Sequence, residues 1–406
     1  MGLQTNEVEF TEPAGQGNAT TNHQRICVVG PSTRFLSGIS YYTIRQINEF
    51  VKEYSVSAIL MRRLLPARFY PGRERVGVTV TGQKTSPRAR VLDGVDWYWF
   101  PSLFRAIGFL LRERPAVIIF HWWTGTVLHS YLFLAVLARM LHAKVVIEFH
   151  EVLDPGEWLI PIAKRYVKLF APWLMRIAQG FVIHSEFDRS NLDDMYGLEN
   201  RPVAVIPLAP FDQYQLKADQ AILREAPPNC LNILYFGLIR SYKGVEYLVA
   251  AFDLIPDSDI ENYWLTIVGE TWEGWTLPVE MIQASRYRNR ITFVNRYVPD
   301  EEVAGFFSGA DVVVLPYLRS SGSGPLQIAM SHGLLVILTD VGGLPEAVRN
   351  YPGKLITQPR SPEKLRDALH EASRLRGEKY VNPYSWEVAR QRYGQLFDEI
   401  EKMSQT

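Results

Sequence analysis

The stretch from Asp311 to Glu346, DVVVLPYLRSSGSGPLQIAMSHGLLVILTDVGGLPE, constrains the fold of this chain most tightly. Val312–Leu315 is a short β-branched apolar run, the pattern of a buried strand. A small-residue loop follows over Ser320–Gly324, and Pro325 opens a helical stretch that runs to His332, with Ser323 placed to cap it. Gly333 ends that helix, Leu334–Leu338 reads as a second buried strand, and Gly342-Gly343 turns into a helix begun by Pro345-Glu346. Strand, loop and helix therefore occur twice, with glycine-rich loops at one edge of a sheet. Helix N-termini offer free N–H groups and a positive dipole end, which bind phosphate. The same glycines also serve ordinary tight turns.

The alternation runs along the whole chain. Apolar runs recur at Ile26–Gly30, Ala58–Met61, Ala116–Phe120, Lys144–Phe149 and Gly180–His184, with helical stretches between most of them, such as Tyr41–Glu53. A polar, charged segment leads to Pro228, and the pattern restarts at Leu231–Phe236, Trp264–Val268 and Ile291–Val294. Alternating strands and helices predict an α/β chain with parallel, doubly wound sheets. At 406 residues the chain exceeds what one hydrophobic core serves, so two Rossmann-like domains facing across a cleft are expected. The boundaries read as a disordered tail over 1–24, one domain over 25–212, a second over 213–380, and a C-terminal helix over 381–406 packing back on the first. Ligands in such folds bind in the crevice at the carboxyl ends of the strands.

Composition narrows the partners. Lys+Arg and Asp+Glu both number 43, which argues against nucleic acid. Cys27 and Cys230 lie far apart near apolar strands and read as reduced, structural thiols. Residues 1–24 lack the apolar core of a signal peptide, and Asn6 stands where a myristoylation site wants Ser or Thr. No apolar run of about 18 residues is present to span a membrane. The basic segment Pro66–Arg90 reads as a long surface loop, and Tyr131–Leu141 as a buried helix. Trp158–Ala178 mixes aromatics with Lys164, Arg165, Lys168 and Arg176. It fits either a face resting on an anionic membrane or a packed helix pair broken at Pro172.

Three further stretches carry chemistry. In FGLIRSYKGVEYL, a strand ends at Gly237 and is followed by Arg240 and Lys243, charge and backbone room suited to a diphosphate. A solvated basic turn is the plain alternative. In VIEFHEVLDPGE, His150 and Glu151 emerge from the carboxyl end of a strand, where a histidine binds a hydroxyl, relays a proton, or is structural. RYVPDEEV, from Arg296 to Val303, is a strand exit and helix start that offers backbone to a nucleobase.

Together these stretches resemble the retaining glycosyltransferases of the GT-B fold, family 4 (glycosyl transferases group 1). The resemblance extends from Ile26 to the C-terminus and rests on FGLIRSYKG, RYVPDEEVAGFFSGADVVVLPY and TDVGGLPEAV, with HWWTG and EFHEVLDP resembling one subgroup. It implies that Arg240 and Lys243 hold the donor diphosphate and stabilise the leaving group. It also implies that Ser323, Gly324, Pro325 and Leu326 form the helix start that contacts sugar and phosphates. Val298 would touch the nucleobase and His150 the transferring sugar. Gly38, and Gly237 beside the cationic pair, would line the phosphate site; Ser37 stands where the family often has the first of two glycines.

The implied reaction moves a hexose from a GDP- or UDP-hexose donor to a glycan or lipid-linked acceptor, with retention. No Asp-x-Asp motif is present, so no metal and no cofactor is expected beyond the nucleotide sugar. The implied location is cytoplasmic, at the inner face of the plasma membrane. The family's two glutamates, eight apart, fall on Arg319 and Gln327, and Leu208 replaces the usual histidine in VIPLAP. Gln327 can still bond a ribose hydroxyl, because an amide offers donor and acceptor. Arg319 cannot replace a carboxylate. A non-catalytic sugar-nucleotide-binding subunit, or an epimerase on the same fold, therefore stands as the alternative.

Overall fold

The computed structural model describes residues 24–33, 38–63, 82–96, 100–151, 161–198, 201–215, 222–272 and 274–405. The tail, Ser37, most of the Pro66–Arg90 loop, Trp158 and the segment after Gln215 lie outside these residues.

Among the described residues, thirteen strands form two sheets. The first contains β1 (Arg25–Pro31), β2 (Ser55–Arg63), β3 (Arg90–Asp96), β4 (Val117–Trp122), β5 (Lys144–Phe149), β6 (Gly180–Ile183) and β7 (Val203–Val205), in the order β3-β2-β1-β4-β5-β6-β7. The second contains β8 (Leu231–Phe236), β9 (Tyr263–Val268), β10 (Ile291–Val294), β11 (Val312–Leu315), β12 (Leu335–Thr339) and β13 (Lys354–Thr357), in the order β10-β9-β8-β11-β12-β13. Each neighbouring pair in both sheets is parallel. The doubly wound architecture expected from the alternation is therefore the one observed.

The central strands show why. All six residues of β4 are buried, as are five of six in β8 and all four in β11. Strands covered by helices on both faces read as unbroken apolar runs. In the first sheet, Ile26 and Val28 pack with Tyr42, Ile47 and Phe50 of the Gly38–Phe50 helix. Cys27 and Val29 face the opposite core, built with Leu103, Tyr131, Leu134 and Leu174. Both cysteines are buried and free, and burial pushes the Cys27 thiol up to about 12.

The structure corrects four expectations. Arg90, the end of the expected loop, begins β3, and β13 had no counterpart in the sequence reading. Both are edge strands that bury few of their residues, three of seven in β3 and one of four in β13, so neither carries a long apolar run. The helix pair expected to break at Pro172 is one helix, Pro161–Ile177. The bond that proline removes would end on the carbonyl of Lys168, an exposed turn where water can serve instead. Finally, the helix Leu128–Met140 is buried on one face only. Phe133, Val136 and Met140 are exposed, Met140 to 72%.

The C-terminal helix Trp386–Gln405 packs on the first half of the chain. Trp386 Nε1 donates to the Pro210 carbonyl at 2.9 Å, and Arg390 pairs with Glu49 and, at 2.7 Å, with Glu53.

Candidate active site

In each sheet the strand order reverses between two neighbours, β1/β4 in the first and β8/β11 in the second. A crevice opens at such a point, outside the carboxyl ends of the strands. The residues singled out in the sequence lie along these edges. Gly38 begins the helix after β1, His150 follows β5, Arg240 and Lys243 follow β8, Val298 follows β10, and Ser323–Gln327 follow β11.

On the C-terminal side, Arg240 and Lys243 flank Tyr242. The Arg240 Cζ lies 5.2 Å from the ring centre and Lys243 Nζ 5.0 Å, while Lys243 also sits 3.7 Å over Tyr317. Burial lowers the Lys243 pKa; Arg240 and Arg319 lower it further, against the opposing pull of Tyr242 and Glu151. Glu151 belongs to the other sheet, so this interaction joins the two halves of the site. Gly237 holds φ at +132°, and a Cβ on Gly269 would come within 1.9 Å of the Gly237 carbonyl oxygen. The close backbone approach between Gly237 and Gly269 thus requires glycine.

The helix Gly324–Ser331 starts as expected, with one refinement. Ser323 is its N-cap, and its Oγ accepts from Leu326 N at 3.3 Å. Pro325 has no N–H, so Leu326 N–H reaches a ligand only when Ser323 releases it. Gln327 is buried, and its Oε1 has no hydrogen-bond partner among the described residues. Val298 lines a cavity of about 220 Å³ between the halves, together with Gly38, Gly237, Gly324 and Pro325.

The N-terminal side is built on Glu148, a fully buried carboxylate. Tyr393 donates to its Oε1 at 2.6 Å and Gln46 to its Oε2 at 2.8 Å. His121 Nε2 lies 3.4 Å away, His184 Nε2 3.7 Å and His150 Nε2 3.8 Å. Burial pushes Glu148 up, but His121, then His150 and His184, outweigh it and hold the carboxyl well below its ordinary value. His184 Nδ1 is 2.8 Å from the Ile206 carbonyl and therefore carries hydrogen. With that ring neutral, its Nε2 accepts from His150 Nδ1 at 3.2 Å. That leaves His150 Nε2 bare, buried and without a hydrogen-bond partner among the described residues. Burial also holds His150 well below its ordinary pKa, with Glu148 opposing and His121 and His184 reinforcing.

His121, Glu148 and His150 bring their ligand atoms within 4.8 Å of one another, close enough to consider a metal. Both Glu148 oxygens already accept hydrogen bonds, however, and the His121 nitrogens lie 2.9 Å from Thr43 Oγ1 and Gln46 Oε1. The group fits a hydrogen-bonded cluster better than a metal centre. Sequence reasoning found His150 but missed Glu148, His121 and His184. The available signal was a charged residue inside KVVIEF, an otherwise apolar buried run.

Further contacts bridge the halves. Tyr41 and Tyr214 donate to Asp300 Oδ1 at 2.8 Å and 3.2 Å. The Glu346 carboxylate accepts from Glu186 N and Phe187 N, at 2.7 Å and 2.9 Å, an anion at the start of the Glu186–Tyr196 helix. Leu208, where the resemblance wants histidine, sits against the glycine loop: a Cβ on Gly322 would lie 2.8 Å from its Cδ1.

Comparison with known proteins agrees with this architecture. A model described as Glycosyl transferase 4-like domain matches residues 37–209, and one described as Glycosyl transferases group 1 matches 230–374. Between them they take in most of the chain, which belongs to the glycosyl transferases group 1 family. The O-antigen chain mannosyltransferase B of Escherichia coli is 24% identical over half of this chain and 56% of its own length. The GDP-mannose:glycolipid 4-beta-D-mannosyltransferase of Xanthomonas campestris is 40% identical over 24% of this chain and 27% of its own. The chain thus spans about half the length, or less, of these two relatives. The Anabaena protein HepE, solved in complex with UDP, shares the GT-B fold, with a TM-score of 0.60 at 14% identity, over 93% of this chain and 100% of that one.

The Glu148 cluster sets a pH dependence. A carboxyl with a depressed folded pKa stabilises the fold above its unfolded value, near 4.5, and that stability is lost as pH falls toward the folded value. His150, lowered from 6.5, acts in the same direction: below 6.5 the unfolded chain takes up a proton that the folded chain refuses. Stability is therefore expected to fall from about pH 6.5 downward. Glu148→Gln should be less stable at pH 7 yet lose less between pH 5 and pH 3 in unfolding titrations. An unchanged acid limb in Glu148→Gln would show that this carboxylate is not held as described.

Proposed function

We propose that this chain transfers a hexose from a GDP- or UDP-linked donor to a glycan or lipid-linked acceptor. The observation that carries this reading is the pair Arg240 and Lys243, both against Tyr242 at the β8/β11 crevice, beside the capped start of the Gly324–Ser331 helix.

Cleaving an anomeric carbon–phosphate bond develops negative charge on the departing diphosphate. Arg240, Lys243 and the helix start would stabilise that charge through preorganised electrostatics, without a metal. Ser323 would turn from Leu326 N–H to the ligand as phosphate arrives. Val298 would meet the nucleobase, Gln327 Oε1 would accept from a ribose hydroxyl, and Gly38 and Gly237 would leave room for the diphosphate. His150 would hold a hydroxyl of the transferring sugar through its bare Nε2. The reading is of transfer with retention, in which attack comes from the leaving-group face and the departing phosphate takes the acceptor's proton. The β linkage in the name of the Xanthomonas relative favours inversion as the competing course, with His150 Nε2 taking that proton.

The acceptor side of the reading includes a membrane. No helix among the described residues is long and apolar enough to cross one. The Pro161–Ile177 helix nevertheless exposes Ile162 to 80% and Trp173 to 56%, beside exposed Arg165, Lys168 and Arg176. Apolar and cationic side chains together suit the inner face of an anionic bilayer, where a lipid-linked acceptor would lie.

Lys243→Ala and Arg240→Ala are each expected to reduce transfer by about 100-fold or more while the fold stays intact. Transfer by the unaltered chain should persist in EDTA. Donor binding without turnover would instead identify a non-catalytic subunit. Proton NMR of the first-formed product reads the anomeric course: an α-linked donor should give an α-linked product, and a β-linked product would establish inversion.

A further inference from the structure

The helices Leu128–Met140 and Pro161–Ile177 pack against each other on the first sheet. Each joins two neighbouring parallel strands, β4 to β5 and β5 to β6, so both start at the cleft edge and run away from it. Both turn an apolar stripe outward, Phe133, Val136 and Met140 on the first and Ile162, Tyr166, Phe170 and Trp173 on the second. The spacing of three and four residues keeps each stripe on one face. Between them lies a groove of about 370 Å³, lined by His129, Leu132, Phe133, Val136, Tyr166 and Phe170. His129 Nδ1 lies 3.3 Å from the Tyr166 hydroxyl at the cleft end. From His129 to Val136 the groove extends about 10 Å, at 1.5 Å per helical residue.

The charges on these helices select the occupant. Neither helix contains an aspartate or a glutamate, whereas Arg139, Arg165, Lys168 and Arg176 are exposed. Arg176 Cζ stands 5.8 Å from the centre of the Trp173 ring, a cation beside an aromatic as at a bilayer surface. A second copy of this face would set these cations against their own counterparts, with no carboxylate on either helix to meet them. A hydrocarbon chain with an anionic head satisfies both the apolar walls and the cations.

We infer that this groove holds the hydrocarbon chain of a lipid phosphate, with the phosphate toward Lys164 and Arg165 at the cleft end and the chain leaving past Met140. The inference rests on the lipid-linked acceptor of the proposed function and deepens it: the acceptor is a lipid phosphate, and the protein grips its chain as well as resting on the bilayer.

Titration calorimetry on the full chain tests this with hexyl phosphate and decyl phosphate below their micelle concentrations, against inorganic phosphate as the blank. A fully buried methylene is worth about fourfold in affinity, and an open groove buries part of each, so decyl phosphate should bind about tenfold more tightly than hexyl phosphate. That ratio should fall toward unity in Phe170→Ser and in Val136→Asn, which alter the groove wall, and hold in Phe104→Ser, an exposed aromatic outside it. The ratio cancels charge attraction common to both probes. All three side chains are exposed, so each variant should fold, and thermal unfolding checks that it does. Equal binding of the two phosphates marks a face that only rests on a bilayer and overturns the inference. So does a ratio that Phe104→Ser lowers as far as Phe170→Ser, or a dimer in sedimentation that Phe170→Ser splits. Binding of UDP or GDP to the same samples reads the donor site separately and should be unchanged in the wall variants; its absence in the unaltered chain overturns the donor-site reading rather than the groove.

Discussion

A carboxylate sealed inside a protein must be surrounded by groups that replace the water it has lost, or it costs several kcal/mol. Glu148 sets that condition for the N-terminal half. Its partners come from the first helix (Gln46), from β4 (His121), from the ends of β5 and β6 (His150 and His184), and from the C-terminal helix (Tyr393). Parallel strands bring the three imidazoles to one edge. The C-terminal helix must return to the first half, because the Tyr393 hydroxyl completes the cluster. The same helix brings Arg390 to the buried Glu49, so two buried carboxylates depend on its docking. His150, which the proposed function places at the transferring sugar, is held by the interactions that close the fold.

The two sides of the cleft have opposite characters. The N-terminal side presents imidazoles oriented around a carboxylate, with Glu151 at its rim. The C-terminal side presents Arg240, Lys243 and Arg319 around Tyr242, with Glu151 as a charge that crosses between them. On the proposed reading, a phosphate in the cleft would replace repulsion among the cations by attraction to each. Asp300 and Glu346 accept hydrogen bonds across the cleft at two separate points, and these set how the halves meet. Leu208 packs against the glycine loop, so the position where a histidine is usual serves as an apolar contact between linker and loop.

Much of this was legible in the sequence because buried parallel strands write themselves as apolar runs. Val312–Leu315 and Lys144–Phe149 were read at their true bounds. The edges were harder. The strand RVLDGVD pairs on one side and buries only three of its seven residues, so nothing in its pattern separates it from a polar loop. Pro172 misled for a similar reason: an exposed helix turn tolerates the missing bond, and sequence alone does not show which turn is exposed. The Glu148 cluster was out of reach for another reason. Gln46 and Tyr393 stand 102 and 245 residues from it, and no local period links such positions. The glutamate itself was visible as a charge within KVVIEF. Arg319 was visible too, as a departure from the family pattern, but only the structure sets it on the ring shared by Arg240 and Lys243.

The central claim is that these loops form one diphosphate site. A crystal structure of the chain with GDP or UDP tests it most directly. The account predicts diphosphate oxygens about 3 Å from the Arg240 guanidinium and Lys243 Nζ, with the base against Val298 and Ser323 turned away from Leu326 N–H. A diphosphate bound elsewhere, with Arg240 and Lys243 still resting on Tyr242 and Ser323 still capping its helix, would contradict it.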